Sequence, residues 1–540
     1  MTTSTPPVPP SASLSGAAPE MHPQRWGDPA RQAPLPEATA ALVEMAFGLA
    51  DRPAVADPRP PAPALAEDLL AGLRGLVGDA HVLTDDAVRR LRTRGKSTPD
   101  LLRARAGELD DAPDAVVRPD GHDQVAAVLA WASEHRVAVV PFGGGTSVVG
   151  GLVALREGYA GVVSLDLVRM KRLLAVDPVS MTATLEPGLR GPEAEALLAE
   201  HGLTLGHFPQ SFEHATIGGF AATRSSGQSS AGYGRFDAMV VGLRAATPTG
   251  DLELGAAPAS AAGPDLRQLV LGSEGAFGVI TAVTVRVRPA PVEKVYEAWH
   301  VGSFEAGTAA MRTLAQGGLL PTVLRLSDED ETALNLARPD AIGEEGAGGC
   351  LLLTGYEGTA AQVAARRAAV TEVLTGLGAA PLGTEPGEAW AHGRFAAPYL
   401  RDALLDVGVL VETMETATFW SGVPALYDAV KAALTEALGA DGSPLVLCHV
   451  SHVYETGCSL YFTVAARGGD DPLTRWGVAK AAASDAIRAH GATITHHHAV
   501  GRDHQPWFLE EVGPVGVRML QAVKAELDPH RVLNPGVLVP

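Results

Sequence analysis

Apolar and polar positions fall into a regular pattern only after residue 64. Residues 65–77 have helical spacing, and residues 123–135 set Val125, Val128, Leu129 and Trp131 mostly along one face of a helix. Val137-Ala138-Val139-Val140 follows at once, a short apolar run of the kind that forms a buried strand. Residues 161–167 and 181–186 read as strands with an Asp177-Pro178 turn signal between them, and residues 193–201 as a helix. A further strand at 281–288 completes an alternation that predicts an α/β or α+β domain through about residue 289. Beyond residue 292 the tempo changes. Strand-like runs at 322–326, 350–355 and 459–464 alternate with long Ala-rich helical runs at 360–377 and 423–438, a second α+β unit. Residues 503–540 read as helix and then a Pro/Gly-rich terminal strand.

The chain ahead of this pattern has a different character. Residues 1–16 are rich in Thr, Ser and Pro, too poor in apolar surface to offset their ordering entropy, which predicts a disordered leader. Residues 52–63 read as a Pro-rich linker. The resulting division is a leader and Pro-rich segment at 1–64, one domain at 65–292, a second at 293–499 and a tail at 500–540.

Composition narrows the function classes. Of 540 residues, 62 are acidic and 42 basic, so the net charge is −20. That argues against a nucleic-acid partner, which needs a dense basic footprint. Hydrophobic residues make up 46%, enough for a sizeable core. No apolar run is long enough for a transmembrane segment, and the N-terminus lacks a signal-peptide pattern. Cys350, Cys448 and Cys458 form no disulfide framework and no CxxC pair, which suits a reducing cytoplasm. These features fit an enzyme with a small-molecule or lipid-like substrate, and they leave a homodimer open.

Three clusters carry candidate chemistry. Pro141, Phe142, Gly143, Gly144, Gly145, Thr146 and Ser147 follow the first buried strand. Their backbone can approach a ligand closely, and amides with hydroxyls can wrap a pyrophosphate. No Lys follows at Walker spacing, and the Rossmann glycine spacing is absent. A tight surface turn is the alternative. The second cluster holds Gln210, Ser211, Thr216, Gly218, Gly219, Thr223, Arg224, Ser225 and Ser226, with little helix-forming content, and reads as a loop system against a large cofactor. The third holds Glu274, Gly275, Gly278, Val279 and Ile280. Three such clusters in order, across about 140 residues, are hard to explain as turn chemistry.

The order PFGGGTS, PQSFEHATIGGFAATRSSG and GPDLRQLVLGSEGAFGVIT resembles the PCMH-type FAD domain of the vanillyl-alcohol-oxidase type of flavoprotein. The resemblance implies an α+β, two-domain flavoprotein with an FAD-binding domain and an α+β cap domain. It implies FAD contacts at the residues of all three clusters, the glycine loop on the pyrophosphate and the later loops on the ribityl chain and ring. It also implies that the tail returns to the FAD domain. No His or Cys marks a covalent flavin link, so the expected FAD is non-covalent. A side chain at Gly144 would then fill space the pyrophosphate needs.

The C-terminal half decides the branch. Many 2-hydroxyacid dehydrogenases of this type carry a metal on an HxGDGNxH-like segment and an EHG segment. Here the first runs His452-Val453-Tyr454-Glu455-Thr456-Gly457-Cys458-Ser459-Leu460-Tyr461, and His497 stands at the Glu position of the second. The metal pattern is broken. Residues 321–328, 399–402 and 412–416, the strand through Tyr461 and the triplet His496-His497-His498 resemble instead the alkyl-dihydroxyacetone-phosphate synthase family of ether-lipid formation. The early Trp26-Gly27-Asp28 is similar to that family too. The resemblance implies Tyr461 as catalytic acid/base, His496, His497 and His498 as active-site groups, Arg325 at the reacting head group and Arg401 on substrate. The implied reaction exchanges an acyl ester for a fatty alcohol through a flavin N5 adduct, with no net redox change. Tyr461 would need neighbouring imidazoles or arginines to bring it toward pH 7.

Other readings of the same residues stay open. Three histidines on a strand cannot all face one way, so at most two reach one pocket. His449, His452 and the triplet could hold a metal instead. Arg401 could pair with Asp402 or Glu412, and Tyr461 could be a core tyrosine. On the same scaffold an FAD-dependent oxidoreductase of a 2-hydroxyacid is the alternative function, and a flavin-binding partner subunit a third.

Overall fold

A computed structural model describes residues 19–336 and 348–540, and the expected leader at 1–16 lies outside them. The first buried run becomes the strand Val137–Phe142, lying parallel to Gly161–Asp166, which in turn lies parallel to Ala115–Val117. Val82–Leu83 completes this four-stranded sheet. The helix His122–His135 covers it with Val125, Val128 and Leu129, the face its spacing predicts. A five-stranded antiparallel sheet follows, in the order Leu173–Asp177, Thr182–Leu185, Val279–Arg286, Val240–Thr247 and Gly250–Leu254. The glycine-rich loops hang from the ends of strands in these two sheets.

The second unit is one seven-stranded antiparallel sheet: Ala380–Gly383, Glu293–Val301, Cys350–Gly358, Val323–Ser327, Leu445–Val450, Gly457–Arg467 and Val409–Phe419. Strand alternation gives it two unlike faces. Leu460, Phe462 and Val464 point into a core shared with the helices Phe304–Gln316, Ala360–Gly376, Val423–Leu438 and Pro472–Ala489. Tyr461 and Thr463, one position out of phase, face a cavity.

Three expectations need correction. Residues 52–63 are not a free linker. Pro58 and Pro60 are buried, Arg89 donates to the Pro61 carbonyl, and Arg90 donates to Asp57 and the Pro58 carbonyl. Prolines lose little further entropy on docking, and their carbonyls still accept hydrogen bonds. Residues 19–32 are likewise packed, with Met21 and Trp26 buried and the Gln24 side chain donating to Val55 and Ala104 carbonyls. The second cluster is not all loop. It contains the short helices Ile217–Thr223, Ser230–Tyr233 and Phe236–Met239. Thr216 caps the first by accepting from the Gly219 amide, and its glycines serve close packing, because a Cβ at Gly218 would come within 2.6 Å of Pro187. Finally, the tail after the helix Gln505–Leu527 forms no strand but a single bridge from Leu533 to Val139. Positive φ at Asn534, Gly536 and Leu538 breaks any extended run.

Candidate active site

A cavity of about 420 Å³ lies between the glycine-rich loops and the open face of the seven-stranded sheet. All three sequence clusters line it, at every expected position but one. Arg224 is the exception. It caps its helix in the left-handed region and turns away, donating to the Leu271 and Gln268 carbonyls. Its charge braces the neighbouring loop.

The glycines act differently from expectation. A Cβ at Gly144 would strike the His214 carbonyl and come within 2.8 Å of Ala215 Cα. One at Gly143 would meet Thr216 Oγ1, and one at Gly275 would meet Pro141. The glycines therefore let the three loops close on one another, and that closure shapes the slot. The slot fits a large polar cofactor. Its wall is backbone and small side chains, and Gln210 Nε2 and Gln228 Oε1 are buried there without a hydrogen-bond partner. Such atoms cost stability unless a ligand completes them.

The opposite wall is charged and titratable. Strand register builds it. His449 lies opposite Tyr461, and Tyr461 lies opposite Glu415, so three strands set these residues in one row on one face. The Tyr461 and His449 rings stack with centroids 4.7 Å apart, and the His497 ring lies 5.9 Å from Tyr461. Burial pushes the Tyr461 hydroxyl up to about 12, the opposite of the shift expected from the sequence. Tyr461 therefore holds its proton at neutral pH. Burial likewise pushes the imidazoles down, His498 to about 4 and His452 and His496 well below the usual histidine range, so these rings are neutral.

The triplet is not a strand. His496, His497 and His498 curl around the buried Glu415 carboxylate, which accepts from the amides of all three at 2.6, 3.1 and 2.9 Å and from Thr495 Oγ1 at 2.6 Å. His497 and His498 reach the cavity. His496 lies behind, its Nε2 2.5 Å from the Tyr454 hydroxyl and its Nδ1 3.0 Å from His497 Nδ1. His452, His496 and His497 bring one ring nitrogen each within 4.8 Å of one another.

Both expected arginines reach the cavity. Arg325 donates to Glu331 at 2.6 Å, and the same carboxylate lies 3.3 Å from His449. Arg401 donates to the Lys96 carbonyl at 2.8 Å and lies 3.5 Å from Asp402. Its Nε and Nη2 remain buried without a hydrogen-bond partner. Sequence reasoning missed Glu415 and Glu331 as site groups, because only strand register puts Glu415 beside Tyr461, and only the packing of the helix Glu329–Leu336 brings Glu331 to Arg325 and His449. The alternation of Tyr461 with core residues was the one available signal.

Two families match the chain. The FAD binding domain matches residues 113–254, and the C-terminal domain of FAD linked oxidases matches residues 290–538. An alkyldihydroxyacetonephosphate synthase of Trypanosoma brucei brucei is 34% identical over 506 residues, covering 89% of this chain and 82% of the relative. The synthase of Dictyostelium discoideum is also 34% identical, covering 85% of this chain and 78% of that one. A solved alkyldihydroxyacetonephosphate synthase structure superposes with a TM-score of 0.82 at 28% identity, covering 96% of this chain and 98% of that one. The two-domain α+β flavoprotein fold and the FAD cofactor follow from these matches and from the slot. Among the described residues no helix is long and apolar enough to cross a membrane. The chain belongs to the alkyldihydroxyacetonephosphate synthase family of FAD-linked proteins.

Proposed function

We propose that this chain exchanges the acyl group of an acyl-dihydroxyacetone phosphate for a fatty alcohol. The observation that carries the reading is Tyr461 set against the rings of His449, His497 and His498 in a cavity that Arg325 and Arg401 also line, facing the glycine-rich slot. FAD would be held by the glycine loop, by Gln210, Ser211 and Thr216, by Ser225 and Ser226, and by the 274–280 turn. No His or Cys stands among the slot residues of that side, which supports a non-covalent cofactor. Bound flavin supplies a ring that reacts covalently with the substrate carbon. Arg401 is the phosphate clamp, since its buried Nε and Nη2 make no hydrogen bond, Nη2 having only the 3.5 Å ion-pair contact with Asp402, and together they offer a bidentate fork. Arg325, fixed by Glu331, polarises the head group. A neutral imidazole, His497 or His498, takes the proton from the substrate carbon, and the Tyr461 hydroxyl donates a hydrogen bond to the fatty acid as it departs as a carboxylate. We read the histidine group as metal-free, because both ring nitrogens of His496 already have protein partners.

The FAD domain in this reading comprises residues 65–292 and 500–540, with 293–499 as cap. Lys524 donating to the Ala276 and Leu533 carbonyls, and Asn534 donating to the Glu274 carbonyl, support the return of the tail. Three free buried thiols suit a reducing compartment such as the cytoplasm. The test is anaerobic. Purified holoprotein receives acyl-dihydroxyacetone phosphate and a fatty alcohol with no electron acceptor. Release of fatty acid with formation of the alkyl ether is expected. Flavin reduction by a 2-hydroxyacid, without acyl exchange, would replace the reading with a dehydrogenase.

A further inference from the structure

We propose that Glu415 is the positioning residue of this site: its buried carboxylate winds the three histidines around itself and supplies the negative charge against which His497 takes up a proton. The inference rests on the proton-transfer role given to the triplet above.

Geometry carries it. Glu415 is fully buried, yet it makes no ion pair with any Lys or Arg among the described residues. Its partners are three successive backbone amides, one hydroxyl and two imidazoles. A carboxylate out of water needs such a set of donors. The donors in turn dictate the curl that brings both His497 and His498 to the cavity, which an extended strand could not do. The charge has a second effect. His497 Nδ1 lies 3.5 Å from Glu415 and 3.0 Å from His496 Nδ1. With Nδ1 engaged behind the ring, proton exchange with the cavity falls to Nε2. A carboxylate behind the far nitrogen of an imidazole fixes its tautomer and stabilises the imidazolium as it forms.

The titratable and charged groups around His497 come from every neighbouring element. They are Glu415 and Tyr461 across the sheet, His496 and His498 on its own segment, His449 and His452 at the end of the Leu445–Val450 strand, and Arg235 and His207 of the FAD side. Burial drives His497 down most strongly, and Arg235 and His449 oppose its charging. Glu415 is the one group of these that favours it.

The test is a histidine titration by NMR on selectively labelled holoprotein, beside flavin content and acyl exchange. Glu415→Gln should retain FAD, shift the His497 midpoint to lower pH, and lower turnover at pH 7 about 10–100-fold, the range typical of lost supporting contacts. Glu415→Asp keeps the charge and should restore the His497 midpoint toward the wild-type value. Equal midpoints in all three proteins, or equal behaviour of the Gln and Asp variants, would overturn the proposal. If Glu415→Gln does not fold, hydrogen exchange of the wild-type decides. The amides of residues 496–498 should be slow to exchange, and fast exchange would remove Glu415 as their anchor. A shifted His497 in a protein with no acyl exchange would leave Glu415 in place and remove the synthase reading alone.

Discussion

The two walls of the cavity are built by opposite means. The FAD-side wall is backbone, glycine and hydroxyl, drawn from three contiguous stretches of chain. The sheet-side wall is Arg, Glu, His and Tyr, drawn from four strands, the helices carrying Glu331 and Arg401, and a curled segment, with members up to 173 residues apart, from Arg325 to His498. One wall holds shape by letting loops approach, the other holds charge by pairing buried groups. The difference separates binding from chemistry, and damage to each should read out separately.

Gly144→Val should have the largest effect on the first wall. The new side chain strikes the His214 carbonyl and parts the glycine loop from its neighbour, so the slot itself is lost. Purified variant should carry no flavin absorbance, and turnover should vanish with it. Normal flavin content would mean the loops do not need this contact. Tyr461→Phe is the counterpart on the second wall. Flavin content should stay at the wild-type level while turnover falls about 10²–10⁴-fold, the usual worth of a positioned acid or base. Retained activity would remove Tyr461 from the chemistry.

Arg401→Ala sits between these extremes. Charge-assisted hydrogen bonds are worth about 1.5–3 kcal/mol, so the KM for a phosphorylated substrate should rise about 10–100-fold with flavin unaffected. An unchanged KM would reduce Arg401 to the tether its bond to the Lys96 carbonyl already makes it.

The contrast also explains what could be read from the chain alone. Glycines and hydroxyls at fixed spacing after a buried strand survive as a local signal, and all but Arg224 of that group reach the slot. Arg224 failed because a helix end in the left-handed region redirects its side chain, and no spacing rule reports that. On the other wall, Tyr461, His497, His498 and the two arginines were legible only through resemblance. Glu415 was not, since its place beside Tyr461 is a fact of strand register. In the triplet the limit of two histidines at the pocket agrees with the cavity lining, but the strand behind that limit is absent, and the two that reach it are neighbours. Strand alternation limits three neighbours to two inward positions, but a carboxylate collecting their amides bends the backbone out of that rule. Prolines at 52–63 suggested a linker because docking onto Arg89 and Arg90 is tertiary information.

A last effect falls on stability alone, and it has opposite signs on the two walls. His498 is held near 4 against an ordinary 6.5, chiefly by burial. A depressed histidine pKa means the unfolded chain binds the proton first. The stability it carries is present above pH 6.5 and is lost as pH falls toward 4, on the order of 3 kcal/mol in full. Glu274 on the FAD side runs the other way. Burial raises it to about 7 although the Val500 and Gly501 amides donate to it. Its contribution is present below pH 4.5 and is lost as pH rises through 7. Denaturant melts of the holoprotein from pH 4 to 8 should therefore flatten on the acid side in His498→Gln and on the neutral side in Glu274→Gln. If His498→Gln leaves the acid limb unchanged, the sheet-side wall is not where acid sensitivity resides, and the division of labour between the walls fails in its electrostatic half.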